Sequence, residues 1–221
     1  MRDYTLYGNS EAEICILRLT GEHEKEQIEY ELAEIRKSCH SNNWCIAYIP
    51  IDCWENELAP WAEADANSEN NKSGANDTLR RIIDEIVSNI SSRCQSDSQK
   101  YYLAGYSLAG LFSLWASYQT DIFEGIAAVS PSVWYPGWME YIAGHKCLTN
   151  NIYLSIGSKE HKTRNQMMAH VRSNITKMYD SFLARGYNSI LEINEGNHFK
   201  DPHIRMAKGI KWLIESNTST K

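Results

Sequence analysis

A serine in a predicted strand-to-helix turn is the residue best suited to nucleophilic chemistry. Ser107 lies within the segment GYSLAG, residues 105–110, which joins an apolar run to a helix-forming run. A serine on so sharp a turn takes a strained backbone conformation, so its neighbours two positions away must be small, as Gly105 and Ala109 are. The backbone N–H of Leu108 would begin the helix and point at a developing oxyanion. We predict Ser107 as nucleophile and Leu108 as an oxyanion donor; the alternative is a chance match to a short pattern.

A serine hydroxyl needs a base to take its proton, and His198 is the candidate for that role. It lies in the segment GNHF, residues 196–199, which follows the last predicted strand. A histidine in that place suits a catalytic order of serine, then acid, then base along the chain. The alternative is a loop or capping histidine with no part in chemistry.

The third group would be a carboxylate that orients the histidine and stabilises its protonated ring. It should follow a strand that lies between the serine and the histidine, and two such strands are predicted. The first runs into SPS at residues 130–132, which has no carboxylate, whereas the second runs into GSKE at residues 157–160. We therefore predict Glu160 as the acid. The alternatives are a solvated glutamate paired with a nearby lysine, a serine–histidine dyad, or Asp201, which lies close to the histidine in sequence.

A second oxyanion donor is expected in the loop after an early strand. That loop contains Thr20, Gly21 and Glu22. Gly21 permits a close approach of the backbone, and the N–H of Glu22 or of a neighbour could donate to the oxyanion. The prediction rests on the order of the elements more than on the residue types.

The elements that must position these residues alternate between strand and helix patterns. Strands are predicted at residues 13–19, 44–51, 101–106, 123–129, 151–156 and 189–194, and helices at 24–39, 77–93, 108–118, 166–185 and 202–216. Such alternation favours an α/β fold with a mostly parallel sheet covered by helices on both faces. Ligands then bind beyond the carboxyl ends of the strands. With no internal repeat and no linker, we expect a single domain over residues 1–221 with no separate lid.

Composition argues against several classes of partner and of site. The 221 residues are 43% hydrophobic and 23% charged, and their net charge of −6 disfavours broad attraction to nucleic acid or an anionic membrane. No apolar run approaches the roughly 20 residues of a membrane-spanning helix. The N-terminal residues lack a signal-peptide pattern, so a cytoplasmic protein is expected. The six cysteines and seven histidines show no metal-ligand spacing, so we expect reduced thiols, no metal and no cofactor.

The order along the chain of the segments that contain Ser107, Glu160 and His198 resembles that of the catalytic segments in the α/β-hydrolase superfamily. The chain is more closely similar, over nearly its whole length, to the esterases related to enterochelin esterase and the antigen 85 proteins. The segments that carry the likeness are WENELAPW at 54–61, YYLAGYSLAGL at 101–111, SPSVW at 130–134, GSKE at 157–160 and EGNHF at 195–199. The resemblance implies an α/β-hydrolase fold, ester hydrolysis, and Ser107, Glu160 and His198 as nucleophile, acid and base. Two departures are Ala109, where a second glycine is usual, and the early loop, which lacks a His-Gly pair.

Tryptophans near the predicted strand ends are candidates for substrate binding. Trp54 and Trp61 lie in the segment 52–75, which is too long for an ordinary connection. Trp134 follows the strand after the serine turn. These rings could line an acyl or aryl pocket, or stack on sugar rings. The alternative is that they pack the edge of the core.

These features together predict a hydrolase of small-molecule carboxylic esters that works through an acyl-enzyme. One alternative is acyl transfer, in which an alcohol other than water accepts the acyl group. A second is a binding protein without activity on a hydrolase fold, since a fold alone does not assign a function. The sequence does not indicate acyl length, the alcohol part or the oligomeric state.

Overall fold

A single sheet organises the described part of the chain, which comprises residues 4–62, 74–93 and 98–216 of a computed structural model. Within these residues the strands are β1 Thr5–Gly8, β2 Ile14–Thr20, β3 Trp44–Pro50, β4 Lys100–Tyr106, β5 Phe123–Val129, β6 Asn151–Gly157 and β7 Asn188–Asn194. Their order across the sheet is β1-β3-β2-β4-β5-β6-β7. β1 runs antiparallel to β3, and the other neighbouring pairs are parallel.

The six predicted strands correspond to β2–β7, and each end lies within one residue of its prediction. Their near-continuous apolar runs are typical of strands buried on both faces, and every residue of β2 is buried. β1 was not predicted. It is four residues long, half-exposed and paired on one side only, so it lacks the apolar pattern that identifies a central strand.

Helices connect the strands. In chain order they are a 3-10 helix Glu22–Gln27, α1 Ile28–Ser38, α2 Trp54–Leu58, α3 Ala75–Arg80, a π-helical segment Arg81–Val87, α4 Ser88–Arg93, α5 Leu108–Gln119, α6 Trp138–Gly144, α7 Gln166–Ala169, α8 Val171–Ala184 and α9 Pro202–Ser216. The predicted helix 24–39 therefore begins as a 3-10 turn, and the predicted helix 166–185 is divided at His170. The short helices α2 and α6 were not predicted. Residues 63–73 of the long connection 52–75 lie outside the described part of the chain.

Two apolar clusters pack the helices onto opposite faces of the sheet. One face carries α5, α8 and the π-helical segment, represented by Phe112, Ile175 and Ile82. The other carries α1 and α9, represented by Leu32 and Ile210. Alternate residues of β2–β6 contribute to the two clusters because side chains of a strand alternate between faces. The predicted parallel sheet with helices on both faces is confirmed.

The carboxyl ends of β4, β6 and β7 lie at the same edge of the sheet because these strands are parallel. Ser107 follows β4, Glu160 comes shortly after β6, and His198 comes shortly after β7. Residues far apart in sequence therefore meet at this edge.

Two observations concern membranes and thiols. Within the described ranges, every helix is too short or too polar to cross a bilayer. Of the five cysteines described there as free thiols, four are buried and Cys53 is exposed. Cys94 lies outside the described residues.

Candidate active site

The turn at Ser107 is strained. Ser107 has φ 58° and ψ −118°, a conformation that residues with a side chain rarely adopt. The chain passes here directly from β4 into α5, so Gly105 lies against the first turn of the helix. A Cβ at Gly105 would lie only 2.2 Å from the carbonyl oxygen of Ala109. The glycine is therefore required by close packing, and the turn lifts the serine hydroxyl above the sheet.

His198 lies beside the serine. Its Nε2 is 3.1 Å from Ser107 Oγ, which is hydrogen-bonding distance. The ring is 30% exposed, so it faces solvent as well as the serine. Tyr106, the last residue of β4, donates its hydroxyl hydrogen to the carbonyl oxygen of His198 and so ties the histidine loop to the serine strand.

Glu160 lies on the far side of the histidine ring. Its Oε2 is 2.8 Å from His198 Nδ1, and its side chain is 4% exposed. Its Oε1 accepts hydrogen bonds from the Ser130 hydroxyl at 2.8 Å and from the Gly157 N–H at 2.6 Å. Burial acts to raise the pKa of Glu160, but the contact with His198 and the hydrogen bonds from Gly157 and Ser130 outweigh it and lower the pKa. The carboxylate is therefore kept ionised.

The loops that carry Glu160 and His198 are bonded to each other along the backbone. The N–H of Ser158 donates to the carbonyl of Asn194 at 2.7 Å, and that of Lys159 donates to Gly196 at 2.9 Å. A Cβ at Gly157 would lie 2.6 Å from the Gly196 carbonyl oxygen, so the two loops also pack without space for a side chain. This contact brings the acid within reach of the histidine.

Arg205 is a residue of this site that sequence reasoning missed. It lies in α9, is 2% exposed, and its Nη1 is 3.0 Å from Glu160 Oε1. A signal was present, because Arg205, Gly209 and Leu213 fall four residues apart on the buried stripe of α9. An arginine on an apolar stripe must find a buried partner of opposite charge.

The two predicted oxyanion donors lie on adjacent strands. Leu108 is the first residue of α5, where backbone N–H groups have no partner within the helix. β2 pairs directly with β4, so the loop after β2 emerges beside the serine turn. The N–H of Gly21 donates to Glu24 Oε2 at 3.0 Å, which leaves Glu22, the first residue of the 3-10 helix, as the remaining candidate donor. Gly21 and Glu22 both line a cleft separate from the cavity at Ser107.

A cavity of about 340 Å³ opens at the serine and the histidine. Ser107, His198 and Glu160 line it, and its other walls include Pro131, Trp134, Lys159, Lys162, Met168, Val171 and Phe199. Phe199 is 83% exposed, so the cavity is bordered on one side by an aromatic ring that no core packing explains. The cavity therefore has an apolar surface next to Ser107, and Lys159 and Lys162 contribute two ammonium groups to its lining.

Comparison with known proteins identifies the family. Residues 14–182 match the model of a family described as putative esterase, a span that includes Ser107 and Glu160. The chain belongs to this family. It is also 27% identical over 132 residues to the uncharacterized protein YbbA of Bacillus subtilis (strain 168), a match that covers 56% of this chain and 53% of that protein. The chain thus spans about half the length of the curated relative it matches.

Solved structures of similar fold cover almost the whole chain of this family member. The siderophore hydrolase EstA of Aspergillus nidulans has a TM-score of 0.68 at 19% identity, covering 96% of this chain and 85% of that one. The IroE-like serine hydrolase of Shewanella oneidensis has a TM-score of 0.71 at 15% identity, covering 94% and 74%. The enterochelin esterase of Shigella flexneri has a TM-score of 0.71 at 15% identity, covering 97% and 54%. The predicted α/β-hydrolase fold is confirmed.

The three tryptophans predicted to bind substrate have different surroundings in this esterase-family chain. Trp134 lines the cavity at the serine. Trp61 instead packs among aromatic rings, with Tyr141 at 5.3 Å between centroids, and donates its Nε1–H to the carbonyl of Pro136 at 2.8 Å. Trp54 contacts the ring of His23 and borders a separate cleft beside Gly21.

These surroundings predict different effects for matched substitutions. Trp134→Ala should change KM or acyl-length preference by roughly tenfold, since it removes a cavity wall. The melting temperature of Trp134→Ala should fall less than that of Trp61→Ala. The latter loses contacts with packed rings and a hydrogen bond, which should lower the free energy of unfolding by about 3 kcal/mol. Steady-state kinetics on esters of increasing length, with thermal unfolding of both variants, check this. An unchanged ester profile in Trp134→Ala would contradict a role in binding.

Proposed function

We propose that this chain is a serine hydrolase that cleaves carboxylic esters through an acyl-enzyme. The observation that carries the proposal is the hydrogen-bonded series from Ser107 Oγ through both ring nitrogens of His198 to Glu160 Oε2. A serine in a strained turn, bonded to a histidine that is bonded in turn to an ionised buried carboxylate, is the arrangement that activates a hydroxyl. Membership of the esterase family supports the same chemistry.

In the first half of the proposed reaction, Ser107 Oγ attacks the carbonyl carbon of the ester. His198 Nε2 takes the hydroxyl proton as the new C–O bond forms. The ring then carries a positive charge, which the carboxylate of Glu160 at Nδ1 stabilises. Because hydrogen bonds hold its pKa low, Glu160 remains an anion while the ring is protonated. His198 next gives the proton to the departing alcohol oxygen, which leaves an acyl group on the serine.

In the second half, a water molecule takes the place of the alcohol. His198 accepts a proton from this water, the resulting hydroxide attacks the acyl carbon, and the proton returns to Ser107 Oγ as the acid departs. Each half passes through a tetrahedral oxyanion. The N–H groups of Leu108 and Glu22 are the proposed donors to it, with Gly21 allowing the loop to approach closely.

The proposed substrates are small-molecule esters of a size that enters a cavity of about 340 Å³. Structural neighbours include proteins named siderophore hydrolase and enterochelin esterase. Their names justify including siderophore esters in a substrate panel, beside simple acyl esters of increasing length. The structural similarity to these neighbours supports the fold. At 19% and 15% sequence identity it does not select a substrate, which the panel is designed to do.

Covalent labelling tests the proposal at the nucleophile. A fluorophosphonate should react with Ser107 alone, because that serine has a base at hydrogen-bonding distance. Ser130 and Ser132 line the same cavity and serve as internal controls; the Ser130 hydroxyl donates to Glu160 and is 1% exposed. Peptide mapping should place the adduct on Ser107, and His198→Ala should slow its formation by about 10²-fold or more. An adduct on either control serine would contradict the assignment.

Ester kinetics distinguish hydrolysis from the two other predicted functions. A nitrophenyl butyrate should give a burst of nitrophenol followed by steady turnover to the acid, the sign of an acyl-enzyme. Added alcohols should capture little of the acyl group if water is the natural acceptor. Preferential capture would indicate an acyltransferase, and the absence of both burst and turnover across the panel would indicate a binding protein.

A further inference from the structure

Arg205 connects the loop that carries Glu160 to the loop that carries His198. Its Nη1 donates to Glu160 Oε1 at 3.0 Å and to Ser130 Oγ at 3.2 Å. Its Nη2 donates to the carbonyl oxygens of Glu195 at 3.0 Å and Asn197 at 2.8 Å. One guanidinium therefore holds the acid on one side and the backbone directly before the histidine on the other.

The chemistry of the guanidinium makes this connection rigid. Each Nη carries two hydrogens, and the four acceptors at Glu160, Ser130, Glu195 and Asn197 use all of them. The group is planar with fixed directions of donation, so its acceptors cannot shift relative to one another without breaking a bond. A lysine ammonium has no such fork, and its bonds do not determine a separation between two loops.

Burial makes each of these bonds consequential. Arg205 is 2% exposed, and the carboxylate of Glu160 beside it is 4% exposed. A buried cation must be paired, and one that loses its partners is strongly unfavourable. The guanidinium thus favours the arrangement in which Glu160 Oε1 faces it, and in that arrangement Oε2 is directed at His198 Nδ1 at 2.8 Å.

We propose that Arg205 is a positioning residue for catalysis, which sets the separation between Glu160 and His198 by binding both loops. The proposal rests on the proposed function, in which these two residues are acid and base. Arg205 is not itself among the residues that line the cavity, and its four hydrogen bonds go to Glu160, Ser130, Glu195 and Asn197 rather than to Ser107, so it acts through Glu160 and the histidine loop. Its removal should leave substrate binding intact and impair proton transfer.

The first test is a kinetic double-mutant cycle. Arg205→Lys, which retains a cation, should lower kcat by about 10²-fold with KM changed less than about threefold, since a displaced catalytic group slows chemistry more than binding. Combined with Glu160→Gln, it should add less than about threefold, because both changes disable one unit. Multiplicative effects would show that Arg205 acts independently of Glu160 and would overturn the proposal. Arg205→Met serves as a second variant if the lysine one unfolds.

The control is Lys208→Met, which removes a cation from the same helix. Lys208 donates to Asn194 Oδ1 at 2.8 Å and to Glu192, both in β7, and makes no bond to the acid or histidine loop. Because Lys208 bonds only to β7 and a surface change of this kind perturbs the fold little, its kcat should stay within about twofold of wild type. A loss equal to that of Arg205→Lys would trace the effect to α9 as a whole and contradict a specific role.

A second readout does not depend on turnover. With nitrogen-15 in the histidine rings, the shifts of His198 report which ring nitrogen carries the proton. We expect Nδ1–H in the wild type and in Lys208→Met, a mixture of the two tautomers in Arg205→Lys, and Nε2–H in Glu160→Gln. If the His198 ring of Arg205→Lys kept the wild-type tautomer, the proposal would be overturned. If the wild type had no esterase activity, only the proposed function would be contradicted. The His198 tautomer in Arg205→Lys would still show whether Arg205 positions Glu160 against the histidine.

Discussion

Replacing Ser107 with alanine should lower kcat on any ester that the wild type cleaves by about 10⁴-fold or more. The hydroxyl oxygen forms the bond of the acyl-enzyme, and among the described residues it is the group that lies at hydrogen-bonding distance from His198 Nε2. The fold should persist, since alanine only removes an oxygen. Steady-state rates, with circular dichroism and thermal unfolding of the same preparation, check both expectations.

Ser107→Gly is the matched variant, because it removes the same oxygen and also relieves the backbone. At φ 58° and ψ −118° a residue with a Cβ stores strain of about 1–3 kcal/mol. Glycine ordinarily costs about 0.5–1 kcal/mol relative to alanine within regular elements. At this turn we expect the opposite order, with Ser107→Gly equally inactive and at least as stable as Ser107→Ala.

Two outcomes would contradict this prediction in different ways. If Ser107→Ala retained turnover within tenfold of wild type, another nucleophile would have to be sought. If both variants were inactive but the glycine one was the less stable, the serine would be the nucleophile in an unstrained turn.

Glu160→Gln should have the second-largest effect, a fall in kcat of about 10²–10⁴-fold. The donors at Oε1, from Gly157, Ser130 and Arg205, require an oxygen there, so the amide nitrogen of the variant must face His198. An amide N–H at Nδ1 forces the ring proton onto Nε2, and a protonated Nε2 cannot accept the serine proton. The loss should still be smaller than for Ser107→Ala, because some catalysis survives without the orienting acid.

Asp201→Asn is the control for this substitution. Asp201 is exposed and lies close to His198 in sequence, and asparagine tolerates its left-handed φ of 51°. The structure brings Glu160, not Asp201, to the histidine Nδ1. We expect the kcat of Asp201→Asn to stay within about threefold of wild type, because an exposed substitution that leaves the Glu160–His198 contact in place perturbs the site little. A kcat of Glu160→Gln close to the wild-type value would favour a serine–histidine dyad. A large loss of kcat in Asp201→Asn alone would indicate that Asp201 is the acid.

Strands β2–β7 and the turn at Ser107 could be predicted because short stretches of neighbouring residues determine them. β2–β7 agree closely with the apolar runs, since burial on both faces requires such runs regardless of what lies beyond them. The turn at Ser107 could be predicted because the small residues that it needs are its own neighbours in the chain. β1 was missed because an exposed edge strand of four residues has no apolar signature.

Contacts between distant segments were decided only by the tertiary structure. The sequence left several acids open, whereas the pairing of β6 with β7 brings the Glu160 loop against the His198 loop. The sequence treated three tryptophans alike, and the packing around Trp134 and Trp61 separates a cavity wall from an aromatic cluster.

Arg205 shows the reason most plainly. Its type and helical spacing indicate a buried charge, but its four acceptors come from three loops that are remote from one another along the chain. Hydrophobic periodicity and turn chemistry act over a few residues and can be read from them. Which side chains meet across loops depends on strand order and on the space left between packed backbones, and those are properties of the folded chain as a whole.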